Sequence, residues 1–314
     1  MHELLKTDKA IPFMRFAKPA SALSILFVVL AFASLFTKGL NWGLDFTGGT
    51  IIEVAFEQTI ELPKVRNVLE SKGIEGATVQ NFGSSRDVLI RLAPEEGLQA
   101  QQQGDKVLTA VKTLGDAQIK RVEFVGPAVG QELAEQGGLA ILAALLCILA
   151  YISFRFEWRL SAGAVLALAH DVIVTLGFFS FFQWEFDLTV LAAVMTVVGY
   201  SLNDTIVVFD RVRENFRKLR RGDTAEILDV SMTETLSRTL ITSGTTLVVV
   251  VALFLKGGTL IHGFATALLI GIGFGTYSSV YVASAFAMFI GIKREHMMPT
   301  QVDKEGADQP DIMP

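Results

Sequence analysis

Asn203 and Asp204 stand near the end of an apolar run, in the stretch GYSLNDTIVVFDRVREN at 199–215. A charged side chain near the centre of a bilayer costs about 2.5–3.5 kcal/mol on insertion scales, so it is rarely found there without a partner or a task. Downstream, SRTLITSG at 237–244 opens another apolar run with Arg238, a ready counter-charge. Asp171, preceded by His170, lies in a third run. Acids so placed can bind and release protons, because burial and a nearby arginine act on that equilibrium in opposite senses. His170 reads as a packing or helix-to-helix bonding residue.

Other chemistry finds little support. No Gly-x4-Gly-Lys-Ser/Thr loop is present, so a built-in ATPase is not expected. The single cysteine, Cys147, rules out a disulfide framework and a cysteine-based metal site. No catalytic residues, metal or cofactor are expected, and neither enzyme activity nor a nucleic-acid partner is expected.

The elements that carry these residues are membrane spans. The 314 residues are 51% hydrophobic and 19% charged, with mean hydropathy +0.47, too apolar for an ordinary soluble domain. Residues 1–19 form a polar N-terminus with Lys6, Lys9, Arg15 and Lys18, followed by a first span at 20–37. Ala31-Phe32-Ala33 has the small-x-small look of a cleavage site, but an apolar core of this length reads as a retained anchor. Five more runs lie within 137–292, at 137–154, 160–182, 188–209, about 236–255 and 263–290, each long enough for the hydrocarbon layer of about 30 Å. Lys and Arg concentrate at the N-terminus, at Arg155 and Arg159, in a basic loop at 210–235 and at Lys293-Arg294, so both termini are expected in the cytoplasm. The polar tail at 293–314 is expected to be disordered.

Residues 38–136 carry a soluble domain on the opposite side. Strands are expected at 50–56, 77–82, 88–92 and 119–125, with helices at 62–71 and 106–114. GSSR at 83–86 reads as a turn. The order β-α-β-β-α-β is that of the ferredoxin-like split βαβ fold. The fold class is therefore a polytopic α-helical membrane protein of six transmembrane helices, with a ferredoxin-like α+β extracytoplasmic domain between the first and second. The domain's charges read as a solvated face.

Depth and facing follow from helix geometry. With about 1.5 Å of rise per residue, Asp171 falls near the midplane, and Asp204 and Arg238 reach a similar depth in the cytoplasmic half, where they could face one another. Alternatively Arg238 snorkels to the inner headgroups. Arg238, Thr242 and Thr245 or Thr246 share one helical face; Thr196, Tyr200, Asn203 and Asp204 share another. The last span repeats small residues every fourth position at Gly263, Ala267, Gly271, Gly275, Ser279, Ala283, Ala287 and Gly291, a packing stripe that needs one long partner helix in this chain or another.

Six segments in order resemble the SecD/SecF family of protein-export membrane proteins: GLDFTGGT at 43–50, FVGPAVGQEL at 124–133, AHDVIVTLG at 169–177, the 199–215 stretch, SRTLITSGTT at 237–246 and GTYSSVYVASA at 275–285. The resemblance is to the SecF side of the family, within the resistance-nodulation-division superfamily, and runs from about residue 10 to 295. It implies a bacterial inner-membrane unit that uses the proton motive force to promote translocation of preproteins, with SecD, YajC and the SecYEG translocon as partners in the lipid bilayer. It also implies a proton relay through Asp204, Arg238, Asn203 and Asp171. Superfamily drug pumps often carry two acids where this chain has Asn203 and Asp204. A passive scaffold, with Asp204 and Arg238 as a structural ion pair, is one alternative; half of a proton-driven small-molecule exporter is another.

Overall fold

The computed structural model describes residues 10–93, 100–219 and 222–297. Lys6, Lys9, Arg220, Arg221 and most of the tail lie outside them. Among the described residues, six stretches are long and apolar enough to cross a membrane: Phe13–Lys38, Pro127–Arg155, Trp158–Phe182, Leu188–Lys218, Thr224–Lys256 and His262–Phe289. In chain order the elements are α1 (Ala17–Lys38), β1 (Asn41–Trp42), α2 (Leu44–Thr47), β2 (Gly49–Phe56), α3 (Leu62–Ser71), β3 (Thr78–Phe82), β4 (Ser84–Leu92), α4 (Ala100–Val111) and β5 (Ala117–Val125). There follow α5 (Pro127–Arg155), α6 (Trp158–Phe182), β6 (Glu185–Phe186), α7 (Leu188–Lys218), α8 (Thr224–Lys256), α9 (His262–Ser278), a π-helical turn at Ser279–Ala283, and α10 (Ser284–Phe289).

Local chemistry sets the helix starts. Asp187 caps α7 by accepting from the Val190 amide at 2.8 Å, and Asp223 with Glu226 forms a capping box at α8. With that box in place α8 runs unbroken from Thr224 through the membrane, so the basic loop expected at 210–235 is largely helical and its later part is one helix with the fifth span. α7 likewise continues past the apolar run to Lys218. At the C-terminus, the expected disorder does not begin at 293: Arg294–Met297 forms a 3-10 turn, Met297 is buried, and its carbonyl accepts from Arg217 Nε at 2.9 Å.

The α+β domain has strand order β3-β4-β2-β5, antiparallel throughout, the arrangement of a split βαβ fold. Ile52, Val54, Val88 and Ile90 form one sheet face, packed with Val65 and Leu69 of α3 and Val107 and Val111 of α4. β4 begins earlier than hydrophobic alternation indicates. Ser84 Oγ donates to Asp87 at 2.7 Å and Lys120 reaches the same carboxylate at 2.6 Å, so polar cross-links hold the hairpin extended where the sequence reads as turn. Ahead of β2, Gly49 adopts φ +123°, and a Cβ there would lie 2.4 Å from the Leu92 carbonyl oxygen, so only glycine fits.

In the bundle α6, α7 and α9 form the interior, while α5 lies at its margin, with only 6% of its span buried. The small-residue stripe of α9 faces α7 of the same chain. A Cβ on Gly271 would meet Val197 Cγ2 at 2.1 Å, one on Gly263 would meet Val190 at 2.9 Å, and one on Gly275 would meet Ser201 at 3.2 Å. Backbones approach closely through these positions, which is how helices associate where lipid removes the hydrophobic drive.

The domain is fastened to the bundle. β1 pairs in parallel with β6, in the turn between α6 and α7, and the Leu188 amide donates to Asp45 at 2.9 Å. Arg91 of β4 pairs with Glu185 and donates to the Trp42 carbonyl at 3.0 Å. At 20% exposure Arg91 is no solvated surface charge, a correction to the sequence reading, which had no way to bring Glu185 against the sheet.

Two outcomes follow. Gly271→Ala should cost about 1–3 kcal/mol by overpacking, seen as a lower thermal midpoint, whereas Gly273→Ala, with open space around it, should not. Burial pushes the Glu185 carboxyl above the usual carboxylate range, with Arg91 opposing. The docked state therefore binds the proton more tightly than the undocked one. Docking should be strongest below the ordinary carboxylate range and weaken as pH rises through the raised value, read by hydrogen exchange in β4; Glu185→Gln should flatten the dependence.

Candidate proton-binding site

The three interior helices bring two carboxylates together with a set of hydroxyls. Asp204 on α7 is 5% exposed. One of its oxygens accepts from Thr239 Oγ1 of α8 at 2.7 Å, and the other from Ser279 Oγ at 2.9 Å. Asp171 on α6 is 1% exposed. Its Oδ1 lies 2.9 Å from His170 Nδ1, and its Oδ2 accepts from Ser201 Oγ of α7 at 2.6 Å and Ser278 Oγ of α9 at 2.7 Å. Every carboxyl oxygen of the two acids has a hydrogen-bond partner, as buried polar groups require. Gly275 packs closely against the second cluster: a Cβ there would stand 3.2 Å from Ser201 Cβ.

The residues expected to work with Asp204 are placed differently. Arg238 is exposed on the outside of α8, and among the described residues no ion pair joins it to Asp204. The neighbour that reaches the acid is Thr239, because successive residues on a helix turn by about 100°, and equal depth does not imply equal facing. Asn203 is exposed for the same reason while Asp204 points inward. Thr242 and Thr245 sit on the exposed face with Arg238 and donate to their own helix, to the Arg238 and Ile241 carbonyls at 3.0 and 2.8 Å. Thr196 does the same with the Ala192 carbonyl at 2.8 Å. Tyr200 reaches Ser243 at 3.4 Å, and Ser243 lies 2.9 Å from Thr276.

Sequence reasoning missed Thr239, Ser201, Ser278 and the acid-bonding role of Ser279. The available signal was adjacency: Thr239 follows Arg238, Ser201 lies three residues before Asp204, and Ser278-Ser279 places two hydroxyls side by side in a largely apolar span. His170 does more than pack. Its Nδ1 is on Asp171, and its buried Nε2 has no hydrogen-bond partner among the described residues, lying beside the rings of Phe274 and Tyr277.

Chemically, these are two buried carboxylates held by hydroxyls and one imidazole. Each acid exchanges a full unit of local charge when it binds a proton, and among the described residues no cation lies within ion-pair distance of Asp204 to mask the change.

The residues 105–293 match the family model of the protein export membrane protein SecD/SecF C-terminal region, and 33–60 match the SecD/SecF GG motif. The chain is 61% identical over 310 residues to the protein translocase subunit SecF of Vibrio alginolyticus, covering 98% of each. It is 54% identical to that of Escherichia coli O157:H7, covering 98% of this chain and 96% of the relative. It also resembles the crystal structure of SecDF, a translocon-associated membrane protein from Thermus thermophilus, with TM-score 0.83 and 38% identity, covering 91% of this chain and 39% of that longer one.

Thr239→Val keeps the shape but removes a donor from the ionised acid. It should cost about 1–3 kcal/mol in the pH range where Asp204 is ionised, measured by thermal unfolding, and Thr239→Ser should recover most of that.

Proposed function

Because this chain belongs to the SecD/SecF family of protein-export membrane proteins, we propose that it works as the SecF subunit of the SecD–SecF accessory complex and that proton exchange at Asp204 drives its shape changes. The observation that carries this reading is a carboxylate deep in a membrane span that, among the described residues, is held by the hydroxyls of Thr239 and Ser279 from two other segments.

The mechanism follows from those bonds. When Asp204 is ionised it accepts from Thr239 and Ser279, which ties α8 and α9 to α7. When it takes up a proton, one oxygen becomes a donor and at least one hydroxyl must turn, loosening that tie. Moving one elementary charge down the membrane potential supplies about 2.3 kcal/mol per 100 mV, enough to bias a two-state packing whose states differ by a few kcal/mol. A shift of α6 against α7 is carried outward by rigid connections, because the turn between them holds β1 and Arg91. The α+β domain then moves with the bundle and pulls or holds the emerging preprotein.

Orientation and partners belong to the same proposal. Both termini face the cytoplasm of a bacterial inner-membrane protein, with the α+β domain outside. Arg238 and Asn203, exposed along two adjacent spans, are polar groups that hydrocarbon does not tolerate uncovered, and SecD is the partner that covers them. There Arg238 and Asn203 take part in the proton path from the far side of Asp204, and Asp171 supports it from within. YajC, the SecYEG channel and translocating preproteins complete the assembly. The passive-scaffold alternative, with Asp204 and Arg238 as a structural ion pair, has less support, because among the described residues no ion pair joins the two.

In membrane vesicles carrying the SecD–SecF complex, Asp204→Asn should reduce export to the level seen without a proton gradient, while Asp204→Glu should retain part of the stimulation. Normal gradient-stimulated export by Asp204→Asn would sink the proposal.

A further inference from the structure

The two acids draw one donor each from consecutive residues. Ser278 gives its hydroxyl to Asp171 and Ser279 gives its hydroxyl to Asp204, both serines being fully buried. Each hydroxyl also has a second acceptor within reach on its own helix: Ser278 Oγ is 3.1 Å from the Gly275 carbonyl, and Ser279 Oγ is 3.1 Å from the Thr276 carbonyl. A hydroxyl has one proton to give. It points to the carboxylate while that acid is ionised; when the carboxyl takes up a proton, the acid donates to Oγ and the serine turns back to its helix carbonyl.

The backbone here is also unusual. Ser279 begins a π-helical turn, a rare conformation often associated with functional sites, which breaks the regular ladder of α9 immediately after Ser278. The turn is gripped from α6, where a Cβ on Gly163 would come within 2.5 Å of the Ala283 carbonyl oxygen, and Ser284 Oγ reaches the Ser279 carbonyl at 3.2 Å. A reorientation at one serine is therefore felt by its neighbour through the peptide unit they share, which sits at the junction where the α-helical ladder of α9 gives way to the π-helical turn.

Building on the proton-driven reading above, we propose that Ser278 and Ser279 are positioning residues that couple the proton occupancy of Asp171 to that of Asp204, so that the acids respond as a pair. Among the described residues, the titratable or charged groups around them are His170 on α6, Tyr200 on α7, Tyr277 on α9 with Tyr281 beyond it, and Arg238 on the outside of α8. From α1 come the Ser24 hydroxyl, on Tyr277, and the Ala20 carbonyl, which accepts from Tyr277.

The test is infrared titration of the full SecD–SecF complex in lipid vesicles, following the carboxyl band that Asp204→Asn abolishes. Asp171→Asn should move the midpoint of that band by about one pH unit, the scale at which two sites titrate as a pair. In a Ser278→Ala or Ser279→Ala background the same substitution should move it by less than half as much, and Ser→Thr at either position should restore the shift. Serines that only stabilise the fold would lower the thermal midpoint yet leave the Asp171-dependent shift intact. That result, no shift in the otherwise wild-type complex, or no titrating band assignable to Asp204 would each overturn the coupling. If an alanine variant fails to assemble with SecD, Ser→Cys keeps the size with only a weak donor and is read in the same way. Export assays separate the two ideas: normal export by Asp204→Asn removes the motor even if the midpoints are coupled, whereas uncoupled midpoints with export still dependent on Asp204 remove only the coupling.

Discussion

A carboxylate taken out of water must find hydrogen-bond donors, and in this bundle the donors come from helices that the acid thereby holds together. Asp171 and Asp204 accept from α7, α8, α9 and the start of the π-helical turn, besides His170 on the acid's own helix. Much of the surrounding packing serves that requirement. Gly275 packs closely against Ser201, and Gly271 lets α9 approach α7 closely enough for the serine hydroxyls to arrive. Because an unsatisfied buried acceptor is expensive, these bonds specify one arrangement of the interior helices far more sharply than apolar contact could.

The same geometry separates two kinds of polar residue that look alike in a membrane span. Thr196, Thr242 and Thr245 return their hydroxyls to their own backbone, one turn back, and leave the helix self-contained. Thr239, Ser201, Ser278 and Ser279 reach across to an acid on another helix. Arg238 and Asn203 belong to neither group, since they face outward from the chain. The α+β domain adds a third arrangement, in which Arg91 and the short β1–β6 pairing fix its sheet onto the α6–α7 turn. The bundle and the domain are thus joined stiffly at that turn.

How much of this was readable in advance depended on the kind of signal. Apolar runs marked all six spans, because length and hydrophobicity are properties of each segment alone. Alternation marked the β-α-β-β-α-β order for the same reason, missing the first residues of β4, where side-chain bonds rather than apolar burial keep the strand extended. Asp171 and Asp204 stood out as acids inside apolar runs. The pairing of Asp204 with Arg238 did not follow, since axial depth can be counted along a sequence but the rotation of one helix against another cannot.

The amino-acid sequence by itself determined which segments enter the membrane, which acids go with them and which face of α9 is small enough to be packed, because these depend on residue type and spacing within one element. Only the tertiary structure decided that the packed face belongs to α7, that Thr239 rather than Arg238 bonds Asp204, and that two adjacent serines serve two acids. Those outcomes depend on how helices are rotated and offset against one another, and that is settled by the joint demand of close backbone approach and satisfied hydrogen bonds across the whole bundle.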